Sequence, residues 1–176
     1  HDPDGSSPQA AGIYANRQAP GTAWGTPTRI SGDNGFVVEP KVAVAPGGLA
    51  VAAWRNSAGS LWSSQRSGSA AWTGESQVIV SEPQRRGAFQ YDMAMNAGGD
   101  AIMAWRDFSS DGPTDTYTVK AKRFTQGTWQ ATEQIVETVD AAESAIQPKV
   151  ALNNEGRSVI VWKVRNEALR AAVGPA

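Results

Sequence analysis

The sequence PKVAVAPGGLAVAAW at residues 40–54 returns as YDMAMNAGGDAIMAW at 91–105 and as PKVALNNEGRSVIVW at 148–162. The copies align without a gap, and each ends on a tryptophan followed by a base: Arg55, Arg106 or Lys163. Within the first copy a short apolar run, 42–44, leads into a turn at Ala45-Pro46-Gly47-Gly48. Glycine permits positive φ there. A second apolar run, 49–54, follows, and the equivalents are 93–95 with 101–105 and 150–152 with 158–162. Two apolar runs joined by four or five turn residues read as a β-hairpin. Because they are apolar at successive positions, the sheets are expected to be covered on both faces.

A second hairpin follows each first one. Its opening strand is expected at 61–66, with counterparts at 118–123 and 12–17. Arg17, Arg66 and Arg123 coincide in register, and Ala15, Ser64 and Ala121 share an inward position. After a glycine-containing turn comes another tryptophan series, Trp24, Trp72 and Trp129, and then Ile30, Val78 and Ile135 in a fourth strand. Four short antiparallel strands per unit of roughly 50 residues, with periodic glycine and aromatic positions, is the pattern of β-propeller blades. The expected fold is therefore all-β, a β-propeller-type array of four-stranded antiparallel blades. A single domain over 1–176 would hold about three blades, with blade parts at 12–31, 40–80, 91–136 and 148–173. Strands are expected in groups of two, four, four and three, thirteen in all. Closed propellers have about four to eight blades, so the array is expected either to continue in a longer propeller or to self-associate. In the second case the first two strands of the last group would meet the orphan third and fourth strands of the first, making about six blades from two chains.

Composition narrows the function. With 18 Gly and 10 Pro the chain is rich in turns, and its formal charge of −1 supplies no basic field for nucleic acid. The absence of Cys removes disulfides, thiolate metal sites and Cys nucleophiles. The one His is residue 1, so neither His catalysis nor a multi-His metal site is expected. No apolar run reaches the ~20 residues that span a bilayer. The glycines sit between strands and open no helix, which excludes phosphate loops and dinucleotide fingerprints. No cofactor and no metal are expected. Asp107, Asp111 and Asp115 are spaced too widely for a calcium loop, and Asp4-Gly5 and Asp111-Gly112 read as turns.

Two sets of residues are the expected ligand contacts. The bases Arg55, Arg106 and Lys163 stand at equivalent positions, where guanidinium groups from successive blades can clamp a carboxylate. Alternatively each base caps its strand end, laying its stem over the neighbouring tryptophan. The six tryptophans of the two series are expected to pack between blades; of the two, the second series, Trp24, Trp72 and Trp129, begins a strand beside a turn and is the more exposed, so a sugar-stacking site is expected near it if anywhere. The stretch Ser57-Ala58-Gly59-Ser60-Leu61-Trp62 approaches the Asp-box turn of sialidases but carries Ser where the Asp belongs. Tyr14, Tyr91 and Tyr117 have no obvious general-base neighbour in sequence, so no catalytic residue is assigned.

Residues 13–17 (IYANR), 23–30 and 40–54, with their later copies, resemble a family of tandem repeats found in exported bacterial proteins, often lipoproteins. The resemblance implies β-propeller blades of the broad sialidase-like type and a location outside the cytoplasm: extracellular, periplasmic or cell-surface. The family generally carries Gln or Ser after the second-strand Trp, where this chain has Arg, Arg and Lys. The expected function is a non-catalytic binding or scaffolding module with a carbohydrate or protein ligand. The alternatives are a sialidase-like glycoside hydrolase using the basic clamp and a purely structural repeat array.

Overall fold

A computed structural model describes residues 12–33, 36–79, 85–110, 114–140, 145–165 and 169–175. These residues form antiparallel β-structure, and among them no helix is long and apolar enough to cross a membrane. Four sheets follow one another along the chain. The first holds β1 (Tyr14–Ala15) and β2 (Thr28–Arg29). The second holds β3 (Val37–Val44), β4 (Ala50–Asn56), β5 (Leu61–Arg66) and β6 (Ser76–Ile79), in that order. The third holds β7 (Arg85–Met95), β8 (Ala101–Ser109), β9 (Thr116–Thr125), the short β10 (Thr128–Trp129) and β11 (Gln134–Asp140), the last two both pairing with β9. The fourth holds β12 (Ala145–Leu152), β13 (Ser158–Val164) and β14 (Leu169–Gly174).

The grouping matches the expected two, four, four and three apart from β10. There the turn at Gln126-Gly127, with φ of 51° and 80°, folds Trp129 back opposite Phe124 before the chain moves on to β11. Positive φ at both central residues gives the two-residue turn whose twist suits a hairpin. The isolated bridge between Gln18 and Trp24 is the same fold-back in the first sheet.

The repeated hairpin turns share one geometry. The amide of Ala45, Asn96 and Asn153 bonds the carbonyl of Leu49, Asp100 and Arg157 at 2.8, 2.9 and 2.9 Å. Each turn has its left-handed residue at glycine: Gly48 (85°), Gly99 (90°) and Gly156 (82°). Asn96 and Asn153 add a side-chain acceptor for the amide four residues on, at 2.9 and 2.8 Å.

The core lies between successive sheets. Trp54 packs with Ile13 and Ile30 of the first sheet, Trp105 with Leu61 and Val78 of the second, and Trp162 with Val119 and Ala121 of the third. All three indoles are buried. Alternate residues of the same strands face the next sheet: Ala53 meets Met103 and Trp105, while Ile102 and Ala104 meet Ile160 and Trp162. Strands β4 and β8 are thus covered on both sides, as their sequence leads one to expect. Strand β13 instead alternates between buried and exposed, because its far side bears no further sheet among the described residues. Polar ties cross the same junctions, including Lys122 Nζ to the Val78 carbonyl at 2.8 Å and Trp129 Nε1 to Ser63 Oγ at 2.9 Å.

Candidate functional site

Each repeat interrupts its first strand at the same place. Between Val38 and Lys41, Phe89 and Asp92, and Ile146 and Lys149, pairing with the second strand slips by one residue. Two residues then stand opposite one: Glu39-Pro40 opposite Trp54, Gln90-Tyr91 opposite Trp105, and Gln147-Pro148 opposite Trp162. These are β-bulges, which bend a strand and re-aim its side chains. The first bulge residue is left-handed every time, with φ of 57° at Glu39, 48° at Gln90 and 52° at Gln147. Left-handed backbone costs a residue other than glycine about 1–2 kcal/mol. Proline follows without loss at two of the three, since a bulge leaves an amide outside the ladder.

The three bulges open into one mouth of about 450 Å3, lined by Glu39, Pro40, Lys41 and their counterparts Gln90, Tyr91, Gln147, Pro148 and Lys149. Its charges are arranged across sheets. Lys41 and Lys149 both approach Asp92 Oδ1, at 3.2 and 3.6 Å, and Asp92 Oδ2 accepts the Val150 amide at 3.3 Å. The Gln147 amide donates to Gln90 Oε1 at 3.1 Å, which leaves the Gln90 NH2 group to donate elsewhere. Glu39 is held by Arg55 Nη2 at 3.3 Å. Beneath the mouth the buried Tyr91 hydroxyl shares its proton between the carbonyls of Glu39 and Ala53, the latter at 2.9 Å. Burial, reinforced by the Glu39 carboxylate, pushes the Tyr91 phenol well above its ordinary range. Tyr91 therefore serves as a neutral, fixed hydrogen-bond donor.

The bases after the repeat tryptophans stand beside the bulges, opposite Val38, Phe89 and Ile146 in register. Arg55 and Arg106 come together on the Phe89 ring, their guanidinium carbons 5.4 and 5.6 Å from its centroid. Arg106 also lies 4.7 Å from the Tyr117 centroid, and its burial lowers its pKa. Lys163 does not join them; it is exposed, and its side chain makes no ion pair or hydrogen bond among the described residues.

The second tryptophan series is divided. Trp24 and Trp72 line one groove of about 690 Å3 with Asn16, Arg17, Val42 and Val44. Trp24 is exposed, whereas Trp72 is half-buried with Arg66 lying 5.9 Å from its ring centroid. Trp129 lines a separate groove of about 300 Å3 with Ser63 and Thr128, and packs edge-on against Phe124 at 5.3 Å. The Asp-box-like stretch is a plain hairpin turn, in which Asn56 Oδ1 accepts the Ser60 amide at 2.9 Å and Gly59 is left-handed at 86°. Asp107 is committed to the buried Lys120, at 2.6 Å, while Asp111 lies outside the described residues.

Sequence reasoning passed over Glu39, Gln90 and Gln147. The available signal was a proline at Pro40 and Pro148 inside a run that continues as strand on both sides, since proline within a strand marks an edge or a bulge. Neither the family models nor the curated proteins contain a match to this sequence.

Proposed function

We propose that the four sheets are successive blades, whole or partial, of a β-propeller-type array, and that the mouth at the bulges is the ligand site of a non-catalytic binding module. The fold reading is supported by sheets that follow chain order, with each repeat tryptophan packed against the sheet before it. The site reading rests on one observation: three strained Glu or Gln residues, at one position of three repeats, line the same opening. Residual strain of this kind gathers at functional sites.

The ligand class that fits is a small saccharide. Amide, carboxylate and ammonium groups supply both donors and acceptors for hydroxyl groups, and the exposed Pro40 ring offers apolar surface beside them. The volume lies in the range of small-molecule sites. As the resemblance to exported repeat proteins implies, the module acts outside the cytoplasm.

The test is a glycan array followed by saturation-transfer NMR on the full chain. Binding to a mono- or disaccharide is expected, and Gln90→Ala or Gln147→Gly should each weaken it roughly tenfold, about 1.4 kcal/mol. Wild-type protein that binds no glycan, or binding that survives both substitutions, sinks the reading.

A further inference from the structure

The groove of about 300 Å3 at Trp129 lies between the second and third sheets, at their third and later strands, whereas the bulge mouth lies at the first strands. From the second sheet come Ser63, Gln65 and Ser76. Ser63 and Ser76 are partners in the ladder and Gln65 follows two residues after Ser63, so all three share one face. From the third sheet come Phe124, Thr128 and Trp129. Every residue that lines the groove is uncharged. The Trp129 indole is held in place from both sheets. The turn at Gln126-Gly127 folds it back opposite Phe124, whose ring it meets at 62°, and its Nε1–H donates to Ser63 Oγ at 2.9 Å. Gln65 Nε2 donates to the Gly127 carbonyl at 2.8 Å, which ties the same turn to the second sheet. The indole is half-buried, so part of it remains on the groove surface.

Those ties leave hydrogen-bonding groups unspent beside the ring. Ser63 accepts the indole proton and keeps its own O–H to donate, while Gln65 retains Oε1 and one N–H. Ser76 is exposed, and its hydroxyl makes no hydrogen bond among the described residues. The opening at the next junction differs on both counts. There Arg123 stands opposite Ile102 as Gln65 stands opposite Val51. Its guanidinium is spent on the Gly156 carbonyl at 2.8 Å and on Ser158 Oγ at 3.2 Å, and Asp100 and Glu155 add charge beside it. Of these two openings, the one at Trp129 combines a fixed aromatic ring with neutral groups still able to donate and accept.

We infer that this groove is a second ligand site and that it takes a neutral saccharide. A sugar ring has an apolar C–H face, which suits the indole, and rim hydroxyls that both donate and accept, as Ser63, Gln65 and Ser76 do. Because the indole is already fixed, binding loses little side-chain freedom. The volume stands at the lower end of the range for small-molecule sites. A carboxylate or phosphate group is disfavoured, since it would leave water and find no cation lining the groove. The bulge mouth, with Glu39, Lys41 and Lys149, is charged and shares no lining residue with the groove. The inference is therefore independent of what the mouth binds.

The test is an NMR titration of the isotope-labelled full chain with D-glucose, D-galactose, D-mannose and N-acetyl-D-glucosamine, and with D-glucuronate as the charged control. The readout is the indole Nε1–H resonance of Trp129, assigned with Trp129→Phe, together with the amides of 63–65 and 127–129. At least one neutral sugar is expected to shift these signals saturably at millimolar concentration, and to bind about tenfold more tightly than D-glucuronate. Gln65→Ala should weaken that binding by about tenfold, through the loss of its hydrogen bonds. Ser76→Tyr, at an exposed position from which a large side chain fills the groove, should abolish it and leave the rest of the spectrum unchanged. Gln147→Gly, at the mouth, should not affect it. The inference is overturned if no neutral sugar moves Trp129, if D-glucuronate binds equally well, or if the shifts survive both Gln65→Ala and Ser76→Tyr. Shifts confined to 39–41, 90–91 and 147–149 overturn it while upholding the mouth as a site, and shifts confined to the groove do the reverse.

Discussion

The Tyr91 hydroxyl is placed between a strained bulge in one sheet and a buried strand of the same sheet, and it belongs to neither. By sharing its proton between the Glu39 and Ala53 carbonyls it ties the left-handed residue of the second sheet to the third. An unfolded phenol ionises near 10, whereas the folded one is pushed higher by burial and the Glu39 charge. Above pH ~10 the unfolded state therefore holds fewer protons than the native state, and stability falls as pH rises. Below that pH the contribution is constant. Tyr91→Phe should cost about 1–3 kcal/mol at neutral pH by leaving buried carbonyls unpaired. It should also flatten the alkaline limb of urea-melt stability between pH 9 and 11, roughly the window in which the unfolded phenol titrates. An alkaline limb as steep as wild type would show that Tyr91 is not its source. A second residue-scale prediction concerns Gln147, whose side chain makes no hydrogen bond among the described residues. Gln147→Gly should stabilise the chain by about 0.5–1 kcal/mol, the relief of left-handed strain less glycine's entropy. Gln147→Ala, which keeps the strain, should leave stability unchanged. Equal effects of the two in thermal melts would refute strain as the cause.

At the scale of elements, the hairpin is the unit most openly written in the chain. Glycine at Gly48, Gly99 and Gly156 announces a left-handed turn, since other residues adopt that backbone at a cost. The glycines of these turns are not equivalent, however. A Cβ on Gly99 would be strained by its φ of 90° and would come within 2.9 Å of Leu49 Cδ2 from the preceding sheet. A Cβ on Gly47 would meet nothing within 4 Å. Gly99→Ala should destabilise by about 1–2 kcal/mol, and Gly47→Ala should be neutral or stabilise by up to about 1 kcal/mol; denaturant midpoints of the pair check both signs. The bulges were far less legible, for a related reason. Glutamine and glutamate carry no backbone signature, so nothing in Gln90 or Gln147 marks a left-handed residue. Pro40 and Pro148 read as strand starts, although pairing continues past the bulge to Val38 and Ile146. The repeat tryptophans were legible as packing residues because indoles recurring in register have few other uses in a covered sheet. The meeting of Arg55 and Arg106 on Phe89 was not, since register aligns positions without bringing side chains from two sheets together.

Across the whole molecule, protection should follow the number of covered faces. Sheets stacked in chain order interact chiefly with their neighbours, so stability is close to a sum of sheet and junction terms. Strand β8 lies within the third sheet and is packed on both sides, with Ile102, Met103, Ala104 and Trp105 all buried. Strand β13 has one buried side, and β14 ends the fourth sheet with half of its residues exposed. Local opening is governed by such differences in burial and pairing. In hydrogen exchange at a concentration where the chain is monomeric, amides of 101–109 should therefore be slowest and those of 169–174 fastest, with 158–164 between them. Trp105→Ala, expected to cost about 3–5 kcal/mol, should erase the advantage of 101–109 and speed exchange in 61–66, because Leu61 loses its cover. It should alter 158–164 less, since the fourth sheet packs on Ile102 and Ala104 from the other side. A uniform loss of protection over all four sheets would mean that the array unfolds as one cooperative unit, and that junction terms do not separate.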